Sequence, residues 1–262
     1  MGALESRGLV FRGSVKTMVS YDRTKGVHQA ASVAAPPHAP DTPMDLNRGE
    51  AGQRGPCAQY ARPHYQIGKR VFDLVVATLA LIILFPVFLI ISLAVFMSGG
   101  SPIVYRQTRV GRNGRNFKIY KFRTMVRNAE EVLQSRPELM EEYQRTYKIT
   151  NDPRISRLGH FLRMTTLDEL PQLFNVIRGD MSLVGPRPVV PPELEKFGSD
   201  QAIYLYMKPG CAGLWQCSGR SELTYEDRVR LDLMYCRKAS LRYDFRILCR
   251  TFLAIITMRG AS

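Results

Sequence analysis

The feature that most constrains this chain is an apolar segment, Val71–Met97, in which Asp73 is the only charged residue. As a straight helix the segment would measure about 40 Å, which is enough to span a bilayer. Pro86 lies near its middle and removes a backbone donor where no water can replace it. The sequence therefore predicts a membrane helix, residues 66–100, that is broken at Phe85–Pro86.

Basic residues flank this segment on both sides. They are Arg62, Lys69 and Arg70 before it and Arg106, Arg109, Arg112 and Arg115 after it. Because loops rich in Lys and Arg stay in the cytoplasm, both ends are predicted to lie on the cytoplasmic side. A helix that dips into one leaflet and returns satisfies both observations. A simple transmembrane anchor is the alternative.

The chain carries a formal net charge of +14, from 37 Lys and Arg against 23 Asp and Glu. Such an excess indicates anionic partners: nucleic acid, nucleotide sugars or acidic lipids. No zinc-finger spacing, RNP motif or basic zipper is present, which argues against nucleic acid. The five cysteines are an odd number without a C-x-x-C pair, and we interpret them as reduced thiols.

Residues 1–65 carry little information about the fold. The stretch Ala30–Pro43 is rich in Ala and Pro and lacks periodicity, so a disordered leader is predicted. Residues 101–262 follow the membrane helix and are long enough for one hydrophobic core, which we predict to be cytoplasmic.

Two adjacent carboxylates, Asp168 and Glu169, lie at the start of a predicted helix. Either Thr166 is the N-cap and Glu169 closes a capping box, or Pro171 takes the first helical position and Gly179 follows the end. The second start is favoured, because Pro171 inside a helix would forfeit a backbone bond. Both starts place the carboxylates at the positive end of a helix dipole, where they could bind a cation or attack phosphorus.

Arginines surround this pair. Arg163 precedes it, Arg178 ends the predicted helix, and Arg187 is held between Pro186 and Pro188. The two prolines restrict the backbone around Arg187, and a guanidinium fork matches phosphate geometry. Arg178 is interpreted as a surface residue of a turn, and Arg187 as a phosphate ligand.

Two further segments have clear periodicity. A β-hairpin is predicted around the turn Gly111–Gly114, and its second strand would place Lys121 and Arg123 on one face. A C-terminal helix carries an apolar stripe bordered by arginines. The stripe comprises Leu241, Phe245, Leu248, Phe252 and Ile255, and the border Arg242, Arg246 and Arg250. This helix either lies in an anionic membrane interface or packs its stripe on the core.

Three ordered motifs resemble one family. They are KFRTM (Lys121–Met125), LDELPQLFNVIRGDMSLVGPRP (Leu167–Pro188) and PGCAGLWQCSGRSE (Pro209–Glu222). Together they make residues 66–262 similar to the bacterial sugar transferase family of monotopic polyprenyl-phosphate phosphoglycosyl transferases. Within it the nearest resemblance is to small undecaprenyl-phosphate galactose phosphotransferases of exopolysaccharide synthesis.

The resemblance implies a reaction and a site. A UDP-sugar gives its sugar 1-phosphate to undecaprenyl phosphate, UMP is released, and Mg²⁺ is required. Asp168 would be the nucleophile that forms a covalent phosphosugar intermediate, and Asp168 and Glu169 would hold the metal. Substrate binding is expected of a set of polar residues: Lys121, Arg123, Arg163, Gln172, Arg187 and Arg220.

The chain departs from the family pattern at two places. Phe85–Pro86 replaces a common Ser-Pro break, and Cys211–Ala212 replaces an aliphatic residue and a threonine. Donor preference could therefore differ from that of relatives, and Trp215 in the same loop is interpreted as a packing residue.

The sequence thus predicts an α+β, helix-rich domain with a few short strands, anchored by a Pro-broken re-entrant helix and a C-terminal interfacial amphipathic helix. It would act at the cytoplasmic face of a bacterial inner membrane, contact its lipids, and supply downstream glycosyltransferases. Galactose is the expected sugar, with glucose or an N-acetylated sugar as alternatives. An inactive membrane-anchored scaffold is the rival from another class.

Overall fold

A computed structural model of the chain describes residues 57–146, 149–219 and 223–256. Helices dominate these residues and are accompanied by two small two-stranded sheets. The predicted helix-rich α+β class with a few short strands is confirmed. The predicted leader lies outside the described residues as far as position 56.

The described part begins with a short helix, α1 (Ala58–Ala61), and a long one, α2 (Pro63–Gly99). Pro63 stands in the first turn of α2, where its missing N–H costs nothing. The predicted break at Phe85–Pro86 does not form: α2 continues past Pro86 to Gly99 with one backbone hydrogen bond fewer, because Pro86 lacks only its own N–H. Among the described residues, α2 is the helix long and apolar enough to cross a membrane, by length and composition.

The predicted hairpin follows. Strands β1 (Val104–Val110) and β2 (Asn116–Phe122) are antiparallel, with Val104 opposite Phe122 and Val110 opposite Asn116. Asn113 and Gly114 take left-handed backbone conformations, which the tight turn requires. Arg123 falls one residue beyond the end of β2.

The remaining elements build one domain around the hairpin. They are α3 (Ala129–Gln134), α4 (Pro137–Thr146), α5 (Arg157–Met164), α6 (Gln172–Arg178), β3 (Ser182–Val184), a 3-10 segment (Pro191–Asp200), α7 (Gln201–Tyr206), β4 (Gly210–Ala212), α8 (Tyr225–Lys238) and α9 (Leu241–Ile256). Strands β3 and β4 are parallel. The main core lies between α2, α6, β3, α8 and α9.

Helix α2 packs on this domain with both of its halves. Ala77 in its first half joins the cluster that contains Ile119 of β2, and Ile91 and Val95 join the cluster that contains Phe122 of the same strand. Between these contacts, residues 78–87 have no buried member. The opposite face exposes large apolar side chains, among them Ile82, Ile83, Phe85, Ile90 and Met97.

Buried polar groups fasten the first half of α2. The Lys69 ammonium donates to Asp244 of α9 at 2.9 Å, and the hydroxyls of Tyr65 and Tyr235 donate to the same carboxylate at 2.8 and 2.7 Å. Asp73 accepts the backbone N–H of Leu183, in β3, at 3.1 Å. Asp73, the single charge of the apolar segment, therefore joins α2 to the strand that leads to Arg187.

The C-terminal helix packs on the core through a face other than its predicted apolar stripe. Asp244 and Ile247 of α9 are buried, whereas Leu241, Phe245 and Phe252 are exposed. The described members of the stripe, apart from half-buried Leu248, therefore face outward, beside the exposed arginines at 242, 246 and 250. Of the two predicted arrangements, this favours the interfacial one. The side chain of Ile255 lies outside the described residues.

One prediction about the cysteines is wrong. Cys57 and Cys236 form a disulfide between the start of α1 and α8, with their Cα atoms 5.5 Å apart. Their separation of 179 residues leaves no local signature in the sequence. Cys211, Cys217 and Cys249 are free.

Candidate active site

The carboxylate pair lies on a 3-10 turn, Leu167–Glu169, directly before α6. Of the two predicted helix starts, the one at Pro171 forms: α6 follows this residue and ends at Gly179, whose φ is 89°. The capping box does not form, because Thr166 has a left-handed φ of 60° and its side chain caps nothing. This strained backbone fixes the position of Asp168 two residues later.

Asp168 is only 7% exposed. Burial, with a smaller contribution from the neighbouring Glu169, raises the pKa of its carboxyl to about 6, although Lys121 and Arg163 oppose this. Within the described residues, only its own backbone N–H donates to the carboxylate. Its oxygens therefore keep free lone pairs beside two cations.

The pKa of Glu169 is shifted in the opposite direction to that of Asp168. Its carboxylate pairs with the Lys121 ammonium at 2.6 Å and accepts a hydrogen bond from Gln172. Burial would raise its pKa, but Lys121, Arg187 and Gln172 together lower it. Glu169 is therefore the ionised member of the pair, while Asp168 titrates near neutrality.

Arg163 approaches Asp168 from α5. Gly159 in the same helix lies against the backbone of Thr124, where a Cβ would collide with the carbonyl, so α5 sits directly on the end of β2. The Arg163 Nε then donates to the Thr124 hydroxyl at 2.9 Å. Its charge lowers the pKa of Asp168 and so favours the ionised form.

Arg187 lies in the loop that follows β3. Its guanidinium lies over the ring of Trp215, with the Cζ 5.4 Å from the ring centroid, and Arg228 of α8 lies at the same distance. Arg109 of β1 donates to the carbonyl of Pro188 at 3.0 Å. Burial and the charge of Arg187 lower the pKa of Arg109. Trp215, predicted as a packing residue, thus supports a cluster of guanidinium groups.

A small polar pocket of about 100 Å³ joins these groups. The predicted site residues that line it are Lys121, Glu169, Gln172 and Arg187. Ligand pockets usually measure about 300–1,000 Å³, so this one has room for a phosphate-sized group only. A larger cavity of about 970 Å³ lies between the 3-10 segment and α8, away from every described site residue.

Two predicted site residues lie beside this pocket, and two are not placed in it. Asp168 and Arg163 adjoin it without lining it. The guanidinium of Arg123 turns to α2 and donates to the carbonyl of Val95 at 3.3 Å. Arg220 lies outside the described residues.

Sequence reasoning missed Arg109 and Arg228. Arg109 had been interpreted only as a flanking charge of the membrane helix. It is separated from Arg187 by 78 positions, and Arg228 by 41, so no local spacing points to either.

The site can supply part of a magnesium coordination sphere. No group of three or more His, Cys, Asp or Glu residues suited to a metal occurs among the described residues. Two adjacent carboxylates nevertheless fit Mg²⁺, which commonly binds one or two carboxylates and takes its other ligands from water and substrate phosphates. Such an ion would be shared with the substrate rather than caged by the protein.

Comparison with known proteins identifies the family of the chain. The family model "Bacterial sugar transferase" matches residues 64–258. ExoY, an exopolysaccharide production protein of Sinorhizobium fredii, is 47% identical over 76% of this chain and 90% of its own length. The UDP-galactose-lipid carrier transferase of Erwinia amylovora is 49% identical over 74% of this chain. The undecaprenyl-phosphate galactose phosphotransferase of Salmonella typhimurium is 46% identical over the same share.

The chain spans only 41% of the length of each of the latter two relatives. The matched segment contains α2 from its second residue, the carboxylate pair, the pocket residues and α9. The chain therefore belongs to the bacterial sugar transferase family.

Proposed function

We propose that this protein transfers a sugar 1-phosphate, galactose 1-phosphate in the first instance, from a UDP-sugar to undecaprenyl phosphate, as the initiating step of exopolysaccharide synthesis. The names of the similar relatives support this class of reaction and galactose as the sugar. UDP-glucose and UDP-N-acetylated sugars are the alternative donors.

One observation carries the proposal. Asp168 is buried and flanked by the charges of Lys121 and Arg163, yet no other described residue donates a hydrogen bond to its carboxylate. A carboxylate whose lone pairs are not committed to the protein can act as a nucleophile. The cations beside it and the Arg187 cluster would neutralise a diphosphate.

The chemistry proceeds in two displacements. A carboxylate oxygen of Asp168 attacks the sugar-bearing phosphorus, the bond from that phosphorus to the bridging oxygen breaks, and UMP departs with the electron pair. A phosphate oxygen of undecaprenyl phosphate then attacks the same phosphorus, and the Asp168 carboxylate leaves. Because the enzyme holds the phosphosugar in between, the two polyanionic substrates need not occupy the site together.

Residues in and beside the pocket have separate roles in this scheme. Lys121 and Arg187 hold phosphate oxygens, Arg163 keeps Asp168 ionised, and Gln172 orients Glu169. Mg²⁺, held by Asp168 and Glu169, would neutralise charge on the phosphates. The pocket is phosphate-sized, so the uridine and the sugar must lie at its rim.

The site of action that we propose is the cytoplasmic face of a bacterial inner membrane, with α2 dipping into one leaflet. The nine residues 78–86 separate the two parts of α2 that pack on the domain. As a helix they measure about 14 Å, roughly half of the ~30 Å of a hydrocarbon core. Contact of both halves of α2 with the same domain supports the re-entrant arrangement over a transmembrane anchor.

The decisive experiment is intact-protein mass spectrometry of the purified protein with Mg²⁺ and UDP-galactose, without lipid acceptor. A hexose-phosphate adduct that is absent from Asp168→Asn would support the reaction, the nucleophile and the sugar together. The same assay with UDP-glucose and UDP-N-acetylated sugars tests the alternatives. Absence of an adduct with every donor, together with no release of UMP when lipid acceptor is added, would favour an inactive scaffold.

The membrane arrangement has its own test. Single cysteines at Gln66 and Ser98, in a background in which Cys211, Cys217 and Cys249 are replaced, are treated with a membrane-impermeant maleimide. Labelling of both in inverted vesicles and of neither in right-side-out vesicles is expected. Labelling of the two positions from opposite sides would establish a transmembrane anchor instead.

A further inference from the structure

The backbone of Arg187 is held at both of its polar groups. Its N–H donates to the Asp232 carboxylate of α8 at 3.3 Å, and its carbonyl accepts the hydroxyl of Tyr204 at 2.9 Å. The same hydroxyl accepts the N–H of Val189 at 3.2 Å. These bonds complement the fixed φ angles of Pro186 and Pro188 and leave the guanidinium aimed at Trp215 and the pocket.

Burial of the Asp232 carboxylate at this position is energetically unfavourable. It is 3% exposed, and its Oδ1 has no hydrogen-bond partner within the described residues. It forms no ion pair there, and Arg187 is the cation whose charge acts on it. Burial raises the pKa of its carboxyl to about 7, which shows how poorly the site accommodates the charge.

A neutral asparagine would accept the same N–H without this cost. A residue that breaks a local rule of stability with no structural gain is expected to serve a functional site. The carboxylate offers what an amide cannot, since its charge attracts the guanidinium of the residue whose backbone it also binds.

We propose that Asp232 is a positioning residue that acts through Arg187, holding its backbone and drawing its guanidinium onto Trp215 so that it faces the donor phosphates. Tyr204 stabilises the same backbone segment by donating its hydroxyl to the Arg187 carbonyl. The proposal rests on the proposed function only in naming the phosphate ligand.

The chain offers a direct reporter of this geometry, because Trp215 is its only tryptophan. Because Arg228 also lies over the ring, the emission of Trp215 without ligand reports displacement of Arg187 as a change from the wild type, and a UDP titration gives the affinity of the pocket for a diphosphate. Arg187→Ala provides the reference in which this guanidinium is absent. Glu226→Gln removes an exposed carboxylate from the same helix and serves as the matched control.

We expect Asp232→Ala to show the emission of Arg187→Ala and to weaken UDP binding about tenfold, by the loss of one charged contact. Asp232→Asn should keep the backbone bond and give a smaller loss. In turnover assays, the KM for the donor should rise more than kcat falls. Glu226→Gln should match the wild type throughout.

Wild-type emission and UDP affinity in a folded Asp232→Ala variant would overturn the proposal. If that variant does not fold, Asp232→Asn decides: full wild-type behaviour would reduce Asp232 to a neutral acceptor and reject the inference. If wild-type protein neither binds UDP nor forms an adduct, the proposed function fails, and the ligand-free emission of the variants still decides the role of Asp232.

Discussion

The two carboxylates Asp244 and Asp168 are both buried, at 0% and 7% exposure, but their surroundings differ completely. Asp244 receives hydrogen bonds from Tyr65, Lys69 and Tyr235. Asp168 receives none from any other described residue, although Lys121 and Arg163 act on it at longer range.

This difference distinguishes a carboxylate that stabilises the fold from one that is available to react. The bonds around Asp244 compensate its desolvation and that of Lys69, so the group holds α2 to α9 and has no capacity left for a ligand. Asp168 keeps its capacity to bind a ligand, but its uncompensated burial lowers the stability of the fold. The comparison can be tested by removing each carboxylate in turn.

The largest effect is expected from Asp168→Asn on activity. Loss of the nucleophile should lower UMP release on the order of 10⁴-fold or more, as for other covalent catalysts. Folding and membrane association should persist, because no described partner is left unpaired. Assays of UMP release beside thermal unfolding measure both. Turnover within about tenfold of the wild type would remove Asp168 from this role.

The next largest effect is on stability, in Asp244→Ala. This change leaves the Lys69 ammonium buried, at 6% side-chain exposure, without its counter-charge. Breaking a buried pair from one side costs about 3–5 kcal/mol, which for a domain of this size lowers Tm by roughly 10 °C. The variant that still folds should form the phosphosugar adduct normally. An unchanged Tm in detergent would show that the Asp244 cluster does not hold the fold.

The pH dependence of both stability and activity should reflect the ionisation of Asp168. Its folded pKa of about 6 exceeds the ordinary 3.8, so the folded state binds more protons between these values. Its contribution to stability is therefore highest below pH 3.8 and falls by about 3 kcal/mol as pH rises through 6. Activity should change in the opposite direction, rising through the same pH because the nucleophile must be ionised.

The measurement is the difference in unfolding free energy between Asp168→Asn and the wild type at pH 5 and pH 8. The variant should gain relative stability at the higher pH. A difference independent of pH would mean that the carboxyl is not buried in the working protein.

The smallest effect is expected at Asp180, which forms an ion pair with Arg178 at 3.3 Å. The Arg178 side chain is 61% exposed, and exposed pairs contribute about 0–1 kcal/mol. Asp180→Ala should therefore shift Tm by no more than a few degrees and leave UMP release unchanged, which makes it a control for Asp244→Ala. A loss comparable to that of Asp244→Ala would contradict the distinction between a fully buried carboxylate and the half-buried Asp180, whose partner is exposed.

Local patterns in the sequence predicted the local elements. The β-hairpin around Gly111–Gly114, the end of α6 at Gly179 and the surface position of Arg178 follow from rules that act within a few residues. Arg123 shows the limit of such rules: alternation assigned it the face of Lys121, but β2 ends one residue earlier and the side chain turns to α2.

Contacts between distant segments were not accessible in the same way. Arg109 reaches the pocket only because β1 pairs with β2, and Asp232 reaches Arg187 only because α8 packs beside the loop after β3. The Cys57–Cys236 disulfide and the Lys69–Asp244 pair depend on the same tertiary closure. Sequence periodicity describes one helix or strand at a time and carries no information about contacts between elements that are distant in the chain.

The polar anchors of α2 have a consequence for biogenesis. Asp73 and Lys69 find their partners in residues 110 and 175 positions later in the chain. The helix therefore leaves the ribosome before either partner has been made, and until then the opposite charges of Lys69 and Asp73 can interact only across one helical turn. We expect the final position of α2 in the lipid to be reached only when β3 and α9 have docked. Membrane insertion of α2 and folding of the domain would then be coupled.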